Sequence, residues 1–350
     1  MKRVSPDPPK PSPLQRGVFL GMIVLSILLA GCFLFWSGIG QQNHANAAQS
    51  QLKLDDIREH FDGQRAFDYL RQICDIGPRP SGSPGMTRQQ ELLTEHFEKL
   101  GAEVRLQKFT GRDPRDGRPV PMANLIVQWL PKKKDRVVLC AHYDTLPYPM
   151  LDRRNPRGTF LGANDGGSGV ALLMELGNQM SKLNLKYGVD FVFFDAEEYI
   201  FAEHHPFFLG SEHFAREYRN QPRDYQYRWG VLVDMIGDKQ LQIYQERNSM
   251  RWPETRPLVE DIWATARRLG IREFVPQRGA EIRDDHLSLR NIAGIPTCVI
   301  IDFDYPDRGH RYWHTTADTI DKCSPLSLAK VGWVVRAWLE TARQEASSWN

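Results

Sequence analysis

The sequence predicts an α/β fold of three layers, α/β/α, with a mixed, mostly parallel central sheet and an N-terminal transmembrane helix ahead of it. Three observations predict it. Apolar, β-branched runs of strand length alternate with helical segments from about Gln64 onward, as in strands joined by crossover helices. At 350 residues, 41% hydrophobic and 25% charged, the chain is long enough to bury one large core. Residues 17–40 carry no charge, a stretch of bilayer-spanning length.

Taken in order, the chain from Gln64 reads helix, helix, strand, strand, strand, helix, strand, helix, strand, strand, helix, strand and a closing helix. Residues 136–141 form an apolar strand pattern that ends in His142-Tyr143-Asp144. Gly162-Ala163-Asn164-Asp165-Gly166-Gly167 opens a helical segment over 170–180. Residues 189–194 are apolar, β-branched and aromatic, a buried strand that delivers Asp195-Ala196-Glu197-Glu198. Residues 230–233 read as a short strand leading to Asp234, and 296–303 as a strand leading to the loop with Trp313-His314-Thr315. In the closing segment, 326–346, Leu328, Val331, Val334, Val335, Trp338 and Leu339 recur at helical spacing, the pattern of a helix covering the sheet. Two Pro/Gly/Arg-rich loops, 113–118 and 152–157, interrupt the pattern, and the second borders the expected cleft.

In open α/β sheets ligands bind beyond the carboxyl ends of the strands. His142, Asp165, Glu198, Asp234 and His314 all fall at strand ends or helix starts. One such residue alone reads as a cap or a solvated turn. Five together, all nitrogen and oxygen donors, point to a catalytic zinc site, which keeps a coordination position open. Adjacent carboxylates allow Glu198 to hold a cation while Glu197 moves protons.

The motifs named above, with Gly77-Pro78-Arg79-Pro80-Ser81-Gly82-Ser83-Pro84-Gly85, Leu209-Gly210-Ser211 and Asp284-Asp285-His286, occur in the order of the M28 zinc-peptidase superfamily, which the chain resembles from about Phe67 onward. Within it the chain is most similar to the glutaminyl cyclases (glutaminyl-peptide cyclotransferases). That resemblance implies a zinc-exopeptidase-like fold and one zinc ion on Asp165, Glu198 and His314. It implies Glu197 as general acid and base, Asp234 and Asp284 as catalytic hydrogen-bond partners, and Trp313 as a substrate-binding wall. The implied reaction converts an N-terminal glutamine of a peptide or protein to pyroglutamate and ammonia.

The aminopeptidases of the superfamily bind two zinc ions, for which His142 and Asp234 are the second-site candidates, with Glu197 activating water. Asp284 and Trp313 favour the cyclase. Ala317-Asp318-Thr319 resembles the peptidase pattern, and the tryptophan that often follows the Glu-Glu pair in animal cyclases is replaced by Tyr199-Ile200-Phe201. Outside the resemblance, Asp284 alone reads as an N-cap for 286–292 and Trp313 as core packing. A non-catalytic, membrane-anchored binding ectodomain is a third reading, against which stand the intact Asp165, Glu197, Glu198 and His314.

The remaining features concern location. Residues 1–16 form a proline-rich tail with Lys2, Arg3, Lys10 and Arg16; 17–40 form the membrane anchor or signal segment, 41–52 a polar linker, and 53–350 the catalytic domain. Basic residues before the apolar stretch favour a cytoplasmic N-terminus and an extracytoplasmic remainder. Leu29-Ala30-Gly31-Cys32 resembles a lipoprotein cleavage box and Ala45-Asn46-Ala47 a signal-peptidase site; the reading favours an uncleaved anchor. A net charge of +2 gives no electrostatic footprint for nucleic acid. The expected partners are peptide N-termini and the membrane, and the expected state is a monomer. Cys140 and Cys298 lie in strands and read as buried hydrophobes; no C-x-x-C spacing marks a thiol metal site.

Overall fold

The computed structural model describes residues 52–342. The tail, the apolar segment, Cys32, the 45–47 site and residues 343–346 of the closing segment lie outside the described residues. Among the described residues no helix is long and apolar enough to cross a membrane.

Alternating side chains on the strands build the layers. Six strands form one sheet: β1 (Glu103–Arg112), β2 (Pro119–Trp129), β3 (Asp135–His142), β4 (Gly188–Phe194), β5 (Gln226–Asp234) and β8 (Thr297–Ile301), in the order β1-β2-β4-β3-β5-β8. β1, β2 and β4 pair antiparallel, while β4, β3, β5 and β8 run parallel, so the sheet is mixed as expected. Val137, Leu139, Val189, Phe191, Val231 and Ile300 enter one buried cluster; Val138, Cys140, Val192, Leu232 and Val299 enter another on the opposite face. That period of two is what a strand covered on both sides requires.

The α-helices of the described residues are α1 (Leu54–Ile57), α2 (Gly63–Asp75), α3 (Pro84–Lys99), α4 (Gly167–Gly177), α5 (Leu209–Asn220), α6 (Arg247–Arg251), α7 (Arg256–Arg268), α8 (His286–Asn291) and α9 (Pro325–Thr341). Their starts are written locally. Asp62 accepts the Arg65 N–H at 3.0 Å, Ser83 accepts that of Met86 at 3.1 Å, and Ser324 accepts those of Leu326 and Ser327, with proline opening α3 and α9. Buried side chains of α2, α3, α4, α7 and α9 join the first cluster, while those of α5 and α8 join the second.

The described cysteines are free and buried, with Cys140 and Cys298 fully enclosed in β3 and β8. Between β5 and β8, where the sequence predicts one strand and one helix, the structure has two strands and the three helices α6, α7 and α8. β7 (Phe274–Arg278), paired with the three-residue β6 (Ile243–Gln245), is absent from the sequence reading because its proline breaks a strand pattern. The helix expected over 170–180 starts at Gly167 and ends at Gly177, followed by a 3₁₀ turn.

Four parallel strands end at one edge. In the ladders His142 pairs with Phe194 and Asp234 with Ile301, so the residues after β3, β4, β5 and β8 emerge side by side. This common edge gathers the candidate residues.

Candidate active site

Each candidate side chain is carried to that edge by a different element. His142 ends β3 and Asp234 ends β5. Glu197 and Glu198 leave β4 through Ala196, whose φ of 58° lies in the left-handed region. Met235 (49°) and His314 (54°) share that conformation, so three of the six non-glycine residues with positive φ among the described residues sit at this edge. Such strained backbone concentrates where side chains must be aimed. Asp165 lies in the loop before α4. The next residue, Gly166, has φ +75°, and a Cβ there would stand 2.8 Å from Cε1 of His142. Only glycine fits both demands.

Asp165 is the centre of the arrangement. Its Oδ1 lies 3.1 Å from His142 Nε2, which is also 3.3 Å from Asp234 Oδ1. Its Oδ2 lies 3.5 Å from His314 Nε2, which is 3.2 Å from Glu198 Oε2. Asp165 Oδ2 and Glu198 Oε2 are buried without a hydrogen-bond partner. His142, Asp165 and Glu198 also offer ligand atoms that all lie within 4.8 Å of one another. The expected trio Asp165, Glu198 and His314 is therefore brought together, with His142 and Asp234 on the other side of the same aspartate.

Hydrogen bonds hold these groups in place. Glu198 Oε1 accepts the Leu146 N–H at 2.7 Å, leaving Oε2 to the cluster. Asp144 accepts the N–H groups of Glu197 and Glu198 at 3.0 and 3.2 Å, fixing the turn after β4. Asp318 accepts those of Asn164 and Asp165 at 2.9 and 3.1 Å, and Tyr305 donates to it at 2.8 Å. Arg79, fully buried, donates to the carbonyls of Leu161 and Gly162 in the Asp165 loop. Ser81 donates to Asp195 at 2.7 Å. The Gly-Pro-Arg-Pro-Ser-Gly segment is thus a clamp on the loops that present the donors.

The electrostatics follow from buried carboxyls in excess. Burial and the neighbouring Asp234 charge raise Asp165, and burial with Asp165 raises Glu198 well above the carboxylate range. Burial, with Asp284 and Asp285 adding to it and His142 opposing, does the same to Glu197. Burial lowers His142, but hydrogen bonding to Asp144, Asp165 and Asp234 outweighs it and raises the imidazole well above its ordinary value. Burial and the His142 charge lower His314 to about 3, so its ring is neutral and Nε2 can donate its lone pair. A crowded set of carboxylates around one neutral imidazole is a donor set for a hard or borderline cation, and a bound cation would relieve the repulsion. The residues present fit a zinc ion.

A cavity of about 440 Å³ opens onto this edge, lined by Asp165, Glu197, Asp234, Asp284, Trp313 and His314 among others. The Asp284 side chain does not cap α8: its Oδ1 accepts the Asp285 N–H at 2.7 Å, Asp285 is the N-cap residue, and Oδ2 is buried without a partner. Trp313 stacks on the His314 ring at 4.0 Å and meets Phe303 edge-on at 5.0 Å, so it packs against the core and lines the cavity at once. All the predicted site residues converge. Asp318, Asp144 and Arg79 received no supporting role from the sequence; they lay within or beside recognised motifs, but buried charge support leaves no periodic signal.

The model of peptidase family M28 matches residues 124–339. Bovine (Bos taurus) glutaminyl-peptide cyclotransferase is 25% identical over 321 residues, spanning 80% of this chain and 84% of the bovine one. The crystal structure of Fimbriiglobus ruber glutaminyl cyclase matches with a TM-score of 0.76 at 40% identity, covering 81% of this chain and 96% of that one. Porphyromonas gingivalis glutaminyl cyclase matches with a TM-score of 0.75 at 30% identity, covering 80% and 98%. The family match takes in β3, β4, β5, β8 and every residue of the cluster from His142 to Asp318, and on that ground the chain belongs to peptidase family M28.

Proposed function

We propose that this chain is a zinc-dependent glutaminyl-peptide cyclotransferase, converting N-terminal glutamine of peptides and proteins to pyroglutamate with release of ammonia. The observation that carries this reading is that Asp284 and Trp313 line the same cavity as Glu197, Asp165 and His314, in a chain similar to proteins named as glutaminyl cyclases over four-fifths of its length.

Asp165, Glu198 and His314 would hold the zinc, which when bound supplies Lewis acidity toward a substrate carbonyl. The chain's own residues do the rest. Glu197 accepts a proton from the α-amine as its nitrogen attacks the γ-carbonyl carbon. The carbon–nitrogen bond of the side-chain amide then breaks, and Glu197 returns the proton to the departing ammonia. Asp234 and Asp284 accept hydrogen bonds from the amine and amide nitrogens. The indole of Trp313 is an apolar wall against which the glutamine side chain is oriented.

A second reading, a two-zinc aminopeptidase, has one observation in its favour. His142 Nε2 lies within 3.3 Å of carboxylate oxygens of both Asp165 and Asp234, a donor set available to a second cation. In either reading the chain acts on peptide or protein N-termini and binds no nucleic acid. We propose it as a monomer anchored by residues 17–40 with the catalytic part outside the cytoplasm; the uncharged segment and its basic flank support the anchoring and its direction.

The test is to give the purified full-length chain a short glutamine-first peptide and, separately, leucine 4-nitroanilide. Ammonia without nitroaniline, lost on chelation and restored by zinc, is the expected result. Nitroaniline without ammonia would overturn the cyclase in favour of the peptidase.

A further inference from the structure

Unlike His142, Glu197 and Asp234, Asp284 is not delivered to the cavity by a strand of the main sheet. It lies on the connection between β7 and α8, and Glu281, Ile282 and Arg283 of that connection line the cavity with it. A catalytic group on a loop needs something rigid to aim it.

The connection is fastened around one residue. The backbone on either side of Glu246 holds its start: the Gly279 N–H donates to the Gln245 carbonyl at 2.8 Å, and the Arg247 N–H to the Ala280 carbonyl at 3.0 Å. The buried Glu246 side chain holds the rest. Its Oε1 accepts the Ile282 N–H at 3.1 Å, and its Oε2 lies 3.6 Å from Nε2 of the fully enclosed His286. The same two oxygens cap α6, Oε1 accepting the Asn248 N–H at 2.8 Å and Oε2 the Ser249 N–H and hydroxyl at 2.6 and 2.8 Å. Asp284 stands between the two residues that Glu246 grips. Its Oδ1 is taken by the Asp285 N–H, which leaves the unpartnered Oδ2 for a substrate.

We propose that Glu246 is a positioning residue for Asp284. One carboxylate, engaging Ile282 and His286 at once, fixes the turn between them and with it the placement of Asp284 Oδ2 in the cavity. The proposal rests on the reading of Asp284 as a hydrogen-bond partner of the substrate's nitrogens. Reach is what makes glutamate suitable. An aspartate, one methylene shorter, would still cap α6, for which it is a preferred residue, but would draw back from Ile282 and His286.

The test is Glu246→Asp in the full-length, zinc-supplemented chain, alone and combined with Asp284→Asn, with kcat/KM read as ammonia release from a glutamine-first peptide. Alone it should lower kcat/KM at least about tenfold, since a misplacement of about 1 Å can cost about 10²-fold. Where Asp284 is already asparagine, the further loss should be under about twofold, because the two residues act through one contact chain. Equal losses in both backgrounds would overturn the proposal. Crystal structures of the wild-type and Glu246→Asp chains answer without turnover: a displaced Asp284 is expected, and an unmoved one would overturn the proposal whatever the rates. If Glu246→Asp does not fold, His286→Leu, which leaves the α6 cap intact, is read in the same two ways. The two ideas fail separately. No ammonia from the wild-type chain with Asp284 displaced in the variant removes the cyclase and keeps the positioning role, while ammonia with Asp284 unmoved does the reverse.

Discussion

Asp318 supports the backbone of Asp165: its carboxylate accepts the Asp165 N–H at 3.1 Å and the neighbouring Asn164 N–H at 2.9 Å. Among the described residues, Asp165 is the one carboxylate paired with both His142 and His314, so the orientation of its loop decides whether the two halves of the cluster share it. The support comes from a residue 153 positions away in sequence.

Asp318→Asn should therefore weaken metal binding without removing a donor atom. One backbone N–H loses its acceptor, and the Asp165 loop loosens. A loss of roughly 10- to 100-fold in zinc affinity is expected, the range for partners that orient ligands. Competition with a chromophoric chelator measures it; an unchanged affinity would remove Asp318 from the support of the site.

The two roles proposed for the Glu-Glu pair and His314 separate cleanly. Glu197→Gln should keep bound zinc and lose at least about 10²-fold in kcat, the usual contribution of a general acid or base. His314→Ala should lose both zinc and turnover. Metal content by mass spectrometry, read beside ammonia release, checks both. Substantial activity in Glu197→Gln would mean that another group moves the proton.

Arg136 and Asp190 form a pair enclosed between β3, β4 and β5, with side chains 1% and 0% exposed, and Tyr227 also donates to Asp190. Arg136→Met leaves the Asp190 charge buried and unpaired, which costs about 3–5 kcal/mol. Urea denaturation should show that loss. The double substitution Arg136→Met with Asp190→Leu should recover part of it, because no uncompensated charge remains.

Glu246 supplies an acid-dependent part of the stability. Burial raises its pKa, but His286 at 3.6 Å and the N–H groups of Ser249 and Asn248 outweigh burial and bring it down to about 2. A depressed folded value stabilises above the unfolded value of about 4.5, and the contribution is lost as pH falls through about 2. Of the order of 3 kcal/mol should therefore disappear between pH ~4.5 and ~2, from the size of the shift. Denaturation curves across that range should be flatter for Glu246→Gln than for the wild type; parallel curves would contradict the assignment.

Strands β3, β4, β5 and β8 were legible because buried parallel strands are written as continuous apolar runs, and α9 because its apolar positions recur at helical spacing. Strand ends were located to within a residue or two where a polar motif comes directly after them, as at His142 and Asp195. β5 was less so: it begins at Gln226, ahead of the apolar run that marked it. β7 is not legible because Pro276 interrupts its pattern, so that only the pairing with β6 makes it a strand.

By itself the sequence determined the α/β class, the strands that end in functional residues, and the chemical type of the donor set, because those are local: a run of β-branched residues, a glycine before a helix, two adjacent glutamates. Only the tertiary structure decided which donors meet. The parallel alignment of β4, β3, β5 and β8 brings four strand ends to one edge, and the left-handed turns at Ala196, Met235 and His314 set the direction in which the chain leaves that edge. The support from Asp318, Asp144 and Arg79 depends on burial and long-range hydrogen bonds. No residue's neighbours in sequence record those contacts, since they exist only once the loops have been packed together.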